Sequence, residues 1–235
     1  MRLILLMALL SGTLGAQELV VGYASKDTLN YNLIATYERG RGWRTAEESR
    51  VGARLYTAYA LDGKRGMVEG SPPLKTRTWG IAGQLDRKLP SESVLLEGNP
   101  PALRPATEVD RAEAATVDAV TAFLAGKGVA VPRARLSQNV SVDLDGDGRS
   151  ERVVVASSTD YALLAVVTGV QVTPLRLVTT GVYWRDHRVL LVADLDGQGG
   201  PEVVERYEVH EGYGVVIYGQ DGDTWKAMTR SDWGL

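Results

Sequence analysis

Acidic side chains recur at cage-like spacing in two places. One is Asp143-Leu-Asp145-Gly-Asp147-Gly-Arg149-Ser-Glu151; the other, 51 positions on, is Asp194-Leu-Asp196-Gly-Gln198-Gly-Gly200-Pro-Glu202. Each sets side-chain oxygens at loop positions 1, 3, 5 and 9, with glycine at 4 and 6. On a tight loop, alternate oxygens converge on one point, which suits a hard cation that takes six to eight oxygen ligands. Glycine at 4 and 6 provides the positive φ that such a wrap requires. Plain Asp-Gly turns are the competing account, but several converging carboxylates without a cation repel one another. The spacing therefore predicts two Ca²⁺ sites. The first carries four carboxylates and the second three, because Gln198 stands where the first loop has Asp147, so the second is expected to bind more weakly.

The flanks of both loops have strand character: Val140-Ser-Val142 and Val153-Val-Val155 around the first, Val189-Leu-Leu-Val192 and Val203-Val204 around the second. An EF-hand would need a helix on each side and a glutamate at loop position 12. The first loop has Val154 there; the second has Glu205, but inside a strand-like Val-Val-Glu-Arg-Tyr run. Beyond the loops the pattern repeats. After the first come Val153–Ala156, Tyr161–Thr168 and Val170–Val178; after the second, Val203–Tyr207, Tyr213–Tyr218 and Thr224–Thr229. Each unit reads as a four-strand antiparallel module like a propeller blade. Two units do not close a ring, so either they pack as a sandwich or the N-terminal strands supply further degenerate units.

The loops, with the Val-Val-Val run after the first, resemble the calcium hairpins of FG-GAP and VCBS-type repeats, also seen in integrin-like propellers. The match covers about Val140 to Leu235, and the chain is also similar to secreted bacterial proteins that carry a helix followed by such hairpins. The resemblance implies Ca²⁺ held by Asp143, Asp145, Asp147, Glu151 and the Arg149 carbonyl. In the second loop it implies Asp194, Asp196, Gln198, Glu202 and the Gly200 carbonyl. The family pattern has aspartate at the Gln198 position.

The elements that must hold these loops are mostly strands. Residues 17–104 read as a β-rich region, with hairpins at Leu33–Tyr37, Gly40-Arg-Gly42 and Trp43–Thr45, and at Leu55–Tyr59 before Asp62-Gly63. Pro100-Pro101 and Pro105 mark a boundary, so that residues 105–235 form the helix and the two repeats. The helix is expected from Glu108 to Ala125, started by a capping-box-like Thr107 and Asp110 and ended by Lys127 and Gly128. The fold class is mainly β (α+β). Residues 1–16 read as an export leader: Arg2, an apolar run from Leu3 to Leu10, then small residues to Ala16. That run is too short to span a bilayer. The chain of 235 residues has no cysteine, so neither a disulfide framework nor a lipid-anchored cysteine is available, and Ca²⁺ is the natural external staple for an exported domain.

A formal net charge of −3 gives no basic footprint for nucleic acid. Only His187 and His210 could act as an imidazole base, and both read as surface residues. No nucleophile elbow, His-Glu-x-x-His pair or phosphate-cradling loop occurs. These features point to an exported, periplasmic or extracellular, non-enzymatic module that meets a protein or glycan partner at the cell envelope through exposed aromatic or edge-strand surface such as Tyr207 to Tyr218. The alternative is a secreted hydrolase, or a hydrolase accessory domain, that acts on polysaccharide through a carboxylate pair.

Overall fold

The computed structural model describes residues 18–25, 30–45, 54–70, 92–97, 102–104, 106–179, 184–210 and 212–233. The expected leader, residues 1–16, lies outside them. In the N-terminal region, β1 (Glu18–Ser25), β2 (Asn30–Glu38), β3 (Gly42–Thr45), β4 (Arg54–Tyr59), β5 (Arg65–Gly70) and β6 (Glu92–Glu97) form one antiparallel sheet in the order β3-β2-β1-β6-β4-β5. Both expected hairpins are present, β2 pairing with β3 and β4 with β5.

The two repeats each make a sheet of their own. Two short strands, β7 (Ala102–Leu103) and β8 (Ala106–Glu108), precede the helix α1 (Ala114–Gly126). The first meander is β9 (Leu136–Val142), β10 (Glu151–Ser157), β11 (Ala162–Thr168) and β12 (Gln171–Val178). The second is β13 (Trp184–Asp194), β14 (Glu202–Val209), β15 (Gly212–Asp221) and β16 (Thr224–Trp233). The sheet orders are β12-β11-β10-β9-β8 and β16-β15-β14-β13-β7, so each four-strand repeat gains a short fifth strand from the segment ahead of the helix. Among the described residues the architecture is mainly β with one helix, and no sheet closes into a barrel.

The sheets stack face to face. Val153, Val155, Leu164 and Val166 of the first repeat meet Val189, Val192, Val203 and Val216 of the second. The opposite face of the second-repeat sheet, with Leu191, Ala193, Val204, Val215 and Ile217, packs on Val21, Ile34, Tyr59, Val94 and Leu96 of the N-terminal sheet. Val120 and Leu124 of α1 cover Val154, Leu163, Ala165 and Val167 on the far side of the first-repeat sheet. Both repeat sheets are thus enclosed on two sides. Strands buried on both faces need apolar residues at every position rather than at alternate ones, which is why Val153, Val154, Val155 and Ala156 are all wholly buried. Each such aliphatic side chain contributes about 1.5–3 kcal/mol by leaving water.

Three expectations are corrected. The helix begins at Ala114 rather than Glu108, because Ala106–Glu108 pair with β9 at Val142, Ser141 and Val140. Thr107 and Asp110 therefore cap nothing; the N-cap is Glu113, without a side-chain cap bond, and its carboxylate takes Arg152 at 2.7 Å. The far end follows the sequence: Gly128 has φ 78°, and the Val129 N–H bonds back to the Leu124 carbonyl at 3.0 Å.

The second and third corrections concern polar residues drawn into the sheet stack. Tyr207 and Tyr218 are 2% and 3% exposed, so they offer no aromatic recognition surface. His187 is equally hidden, within β13. Its Nδ1 lies 2.7 Å from Glu205, a carboxylate with no exposure at all. The Tyr218 hydroxyl donates to Glu205 at 2.9 Å, and Arg176 reaches it from β12 at 3.4 Å. These partners supply the hydrogen bonds that a buried polar group requires. His210 does lie exposed, at the turn between β14 and β15.

One side chain ties the two repeats together through backbone. Gln138 of β9 accepts the Val189 N–H at 2.7 Å and donates to the Val189 carbonyl at 3.2 Å, beside the bulge where β13 gains a residue against β14. Gln138→Leu leaves both buried backbone groups without that partner. The expected loss of stability is roughly 2–6 kcal/mol, at about 1–3 kcal/mol for each of the two unsatisfied groups. Urea unfolding of the two chains measures it; a change under about 0.5 kcal/mol, the size of an ordinary surface substitution, contradicts the role assigned to Gln138.

Candidate metal centre

Each acidic segment is the connection between the first two strands of its repeat. Strand pairing holds Val142 opposite Glu151 and Ala193 opposite Glu202. The chain must therefore leave one strand, turn, and re-enter at the glutamate. Gly146 and Gly148 take φ of 80° and 85°, and Gly197 and Gly199 take 71° and 92°, as loop positions 4 and 6 require. An L side chain is strained at such values.

The turn folds the acids inward. Carboxylate oxygens of Asp143, Asp145 and Glu151 lie within 4.8 Å of one another, and those of Asp194, Asp196 and Glu202 do the same. Equivalent hydrogen bonds brace both clusters. Glu151 accepts the Leu144 N–H at 2.8 Å, and Glu202 accepts the Leu195 N–H at 2.6 Å. Asp143 accepts from Gly148 at 3.0 Å and Asp194 from Gly199 at 3.0 Å. Each position-3 aspartate accepts from the residue two ahead, Asp145 from Asp147 at 3.0 Å and Asp196 from Gln198 at 2.9 Å.

The position-5 residues depart from the simple cage. Asp147 is exposed and stands outside the three-acid convergence, with its Oδ1 accepting the Arg149 N–H at 2.7 Å. The Gln198 amide nitrogen donates to Asp196 at 3.2 Å and to the Tyr37 hydroxyl of β2 at 2.9 Å. Three converging carboxylates per turn is thus the count in both, and four against three no longer separates them. Arg149 stays exposed at the rim, and Gly200 is half-buried just before Pro201. Tyr37, and Arg104 whose guanidinium bonds the Gly199 carbonyl at 3.3 Å, are contributors that loop spacing did not reveal. They sit 161 and 95 positions from their partners, so only the assembled sheets bring them in.

Burial separates the turns. Asp145 is exposed and Asp143 and Glu151 are half-buried, whereas Asp194 and Asp196 are half-buried and Glu202 is 4% exposed. Burial, followed by the charge of Asp196, pushes the Glu202 carboxyl up to about 8. Burial raises Asp196 as well, with Asp194 adding to it. Among the described residues, Asp194 Oδ1 is buried without a hydrogen-bond partner. An all-oxygen cluster with a partnerless buried acceptor and acids that resist ionisation fits a bound cation, which would supply the missing positive charge. Both acidic clusters could hold a metal ion.

Comparison with protein-family profiles, with characterised proteins and with solved structures gives no match to this chain.

In metal-free protein the raised Glu202 carboxyl makes stability depend on pH. The folded chain keeps a proton that the unfolded chain loses at the ordinary glutamate pKa of 4.5. The resulting stabilisation is complete below that value and is lost as pH rises through about 8. Stability in EDTA should therefore decline between about pH 5 and pH 8, and Glu202→Gln, which keeps the shape without the charge, should flatten the decline. Urea titrations across that range check this; equal slopes for the two chains contradict it.

Proposed function

We propose that the two turns bind Ca²⁺ and that the chain is an exported β protein, stiffened by calcium, that works by binding a protein or glycan at the cell envelope rather than by catalysis. The observation that carries the reading is the pair of equivalent three-carboxylate turns, each closed by a glutamate that heads the next strand. Asp143, Asp145 and Glu151 would hold one ion and Asp194, Asp196 and Glu202 the other, with the Arg149 and Gly200 carbonyls completing the two sets. Six to eight oxygens at flexible geometry is calcium's preference, while Mg²⁺ demands a tighter octahedron and keeps its waters. The likeness of the loops to FG-GAP and VCBS-type hairpins agrees with this choice.

A structural rather than catalytic ion follows from its position. It joins two strands at their ends, where it neutralises acids that otherwise repel and fixes the turn that sets strand register. His187, one of the two imidazoles in the sequence, is enclosed and held by Glu205, which removes it as a base for an external substrate. Among the described residues no helix is long and apolar enough to cross a membrane. The envelope role draws on the leader-like N-terminus together with the lack of cysteine.

With a Kd on the order of 0.1 mM, calcium at about 1–2 mM stabilises the folded state by roughly 1.5 kcal/mol per site. Two sites should raise the melting temperature by about 6–12 °C over the same protein in EDTA. Asp145→Ala or Asp196→Ala should each remove at least half of the gain, and MgCl₂ should reproduce little of it. Differential scanning calorimetry in EDTA, CaCl₂ and MgCl₂ is the measurement, and a calcium midpoint equal to that in EDTA overturns the reading.

A further inference from the structure

The two turns are joined by one short piece of chain. β7 pairs with β13 at its last residues, Leu103 opposite Ala193 and Ala102 opposite Asp194, the first acid of the second turn. Three residues later β8 pairs with β9, Ala106 opposite Val142, which directly precedes Asp143, the first acid of the other turn. Arg104 stands between these two pairings. Its backbone N–H donates to the Val192 carbonyl at 3.3 Å, and its guanidinium donates to the Gly199 carbonyl of the second turn at 3.3 Å. The same guanidinium lies against Gly146 of the first turn: a Cβ on that glycine would stand 3.2 Å from Arg104 Nη1.

On the reading that both turns bind calcium, we infer that Arg104 and its flanking strands make the two sites one coupled unit, in which filling either turn favours filling the other. The guanidinium bonds the Gly199 carbonyl at loop position 6 of one turn and occupies the space a side chain on Gly146, at position 4 of the other, would enter. It is a positioning residue. An ion in one turn fixes the backbone on which the guanidinium rests, and with it Ala102–Leu103 and Ala106–Glu108. The second turn then meets a partner already in place, so the ordering of that shared contact is not repeated. A direct effect between the two ions would be repulsive, so favourable coupling is the signature of the shared contact.

Calorimetric titration of CaCl₂ into the chelator-treated native chain, Asp145→Ala and Asp196→Ala tests this. The two single-site variants give each turn's own association constant. The two-ion constant of the native chain should exceed their product by roughly five- to tenfold, at the lower end of common coupling factors. That excess should vanish when the same three titrations are made in an Arg104→Gln background. Arg104→Lys keeps a charge without the guanidinium fork and should lose most of the excess as well, which provides a second variant if one fails to give a cooperative melt. A product equal to the native constant, or an excess that survives both Arg104 variants, overturns the coupling while leaving calcium binding in place. Absence of any calcium heat or melting shift in the native chain removes the calcium reading and this inference with it.

Discussion

Burial of both faces of the two repeat sheets is the constraint to which the rest of the structure answers. A sheet enclosed on two sides leaves little room for a polar side chain in its middle unless that group brings partners. Gln138 brings the backbone of Val189, and Glu205 brings His187, Tyr218 and Arg176. The acidic clusters that could hold an ion are thereby moved to the strand ends. Both acidic turns sit there, each framed by the pairing of two largely apolar strands.

The same constraint explains why the turns differ although their sequences agree. The second repeat lies between two other sheets, and its turn bonds Tyr37 of the N-terminal sheet through Gln198. The first repeat has α1 on one side, and its turn is more open. Both position-5 residues are exposed, but Gln198 also reaches the Tyr37 hydroxyl, which a neutral amide satisfies without adding a fourth anion beside Glu202. Burial, more than the count of acids, distinguishes the two sites.

Much of this was legible locally. The strands of both repeats, the hairpins near Gly40 and Gly63, and the glycine conformations at loop positions 4 and 6 all follow from spacing and residue type. The failures share a cause. Thr107 and Asp110 carry a helix-start pattern, yet β9 offered Ala106–Glu108 a pairing edge and a tertiary ladder won over a local cap. Tyr207, Tyr218 and His187 look like residues for a wet sheet face, but the number of layers stacked on a sheet leaves no trace in its own periodicity. Asp147 lies outside the three converging acids, with its Oδ1 on the Arg149 N–H.

The pair Val153–Val166 of the first repeat recurs as Val204–Ile217 of the second, so equivalent positions can be followed from sheet to sheet. Val153 and Val166 face the second repeat, whereas Val204 and Ile217 face the N-terminal sheet. Each repeat thus presents the same face onward, a head-to-tail arrangement with no symmetry that ends it. Heterologous stacking of this kind continues until something closes or terminates it. Here α1 occupies the place where another sheet would lie, in the manner of the terminal units that keep repeat arrays finite. The helix thus caps the stack: Val120 and Leu124 cover Val154, Leu163, Ala165 and Val167, the face onto which a further sheet would otherwise pack.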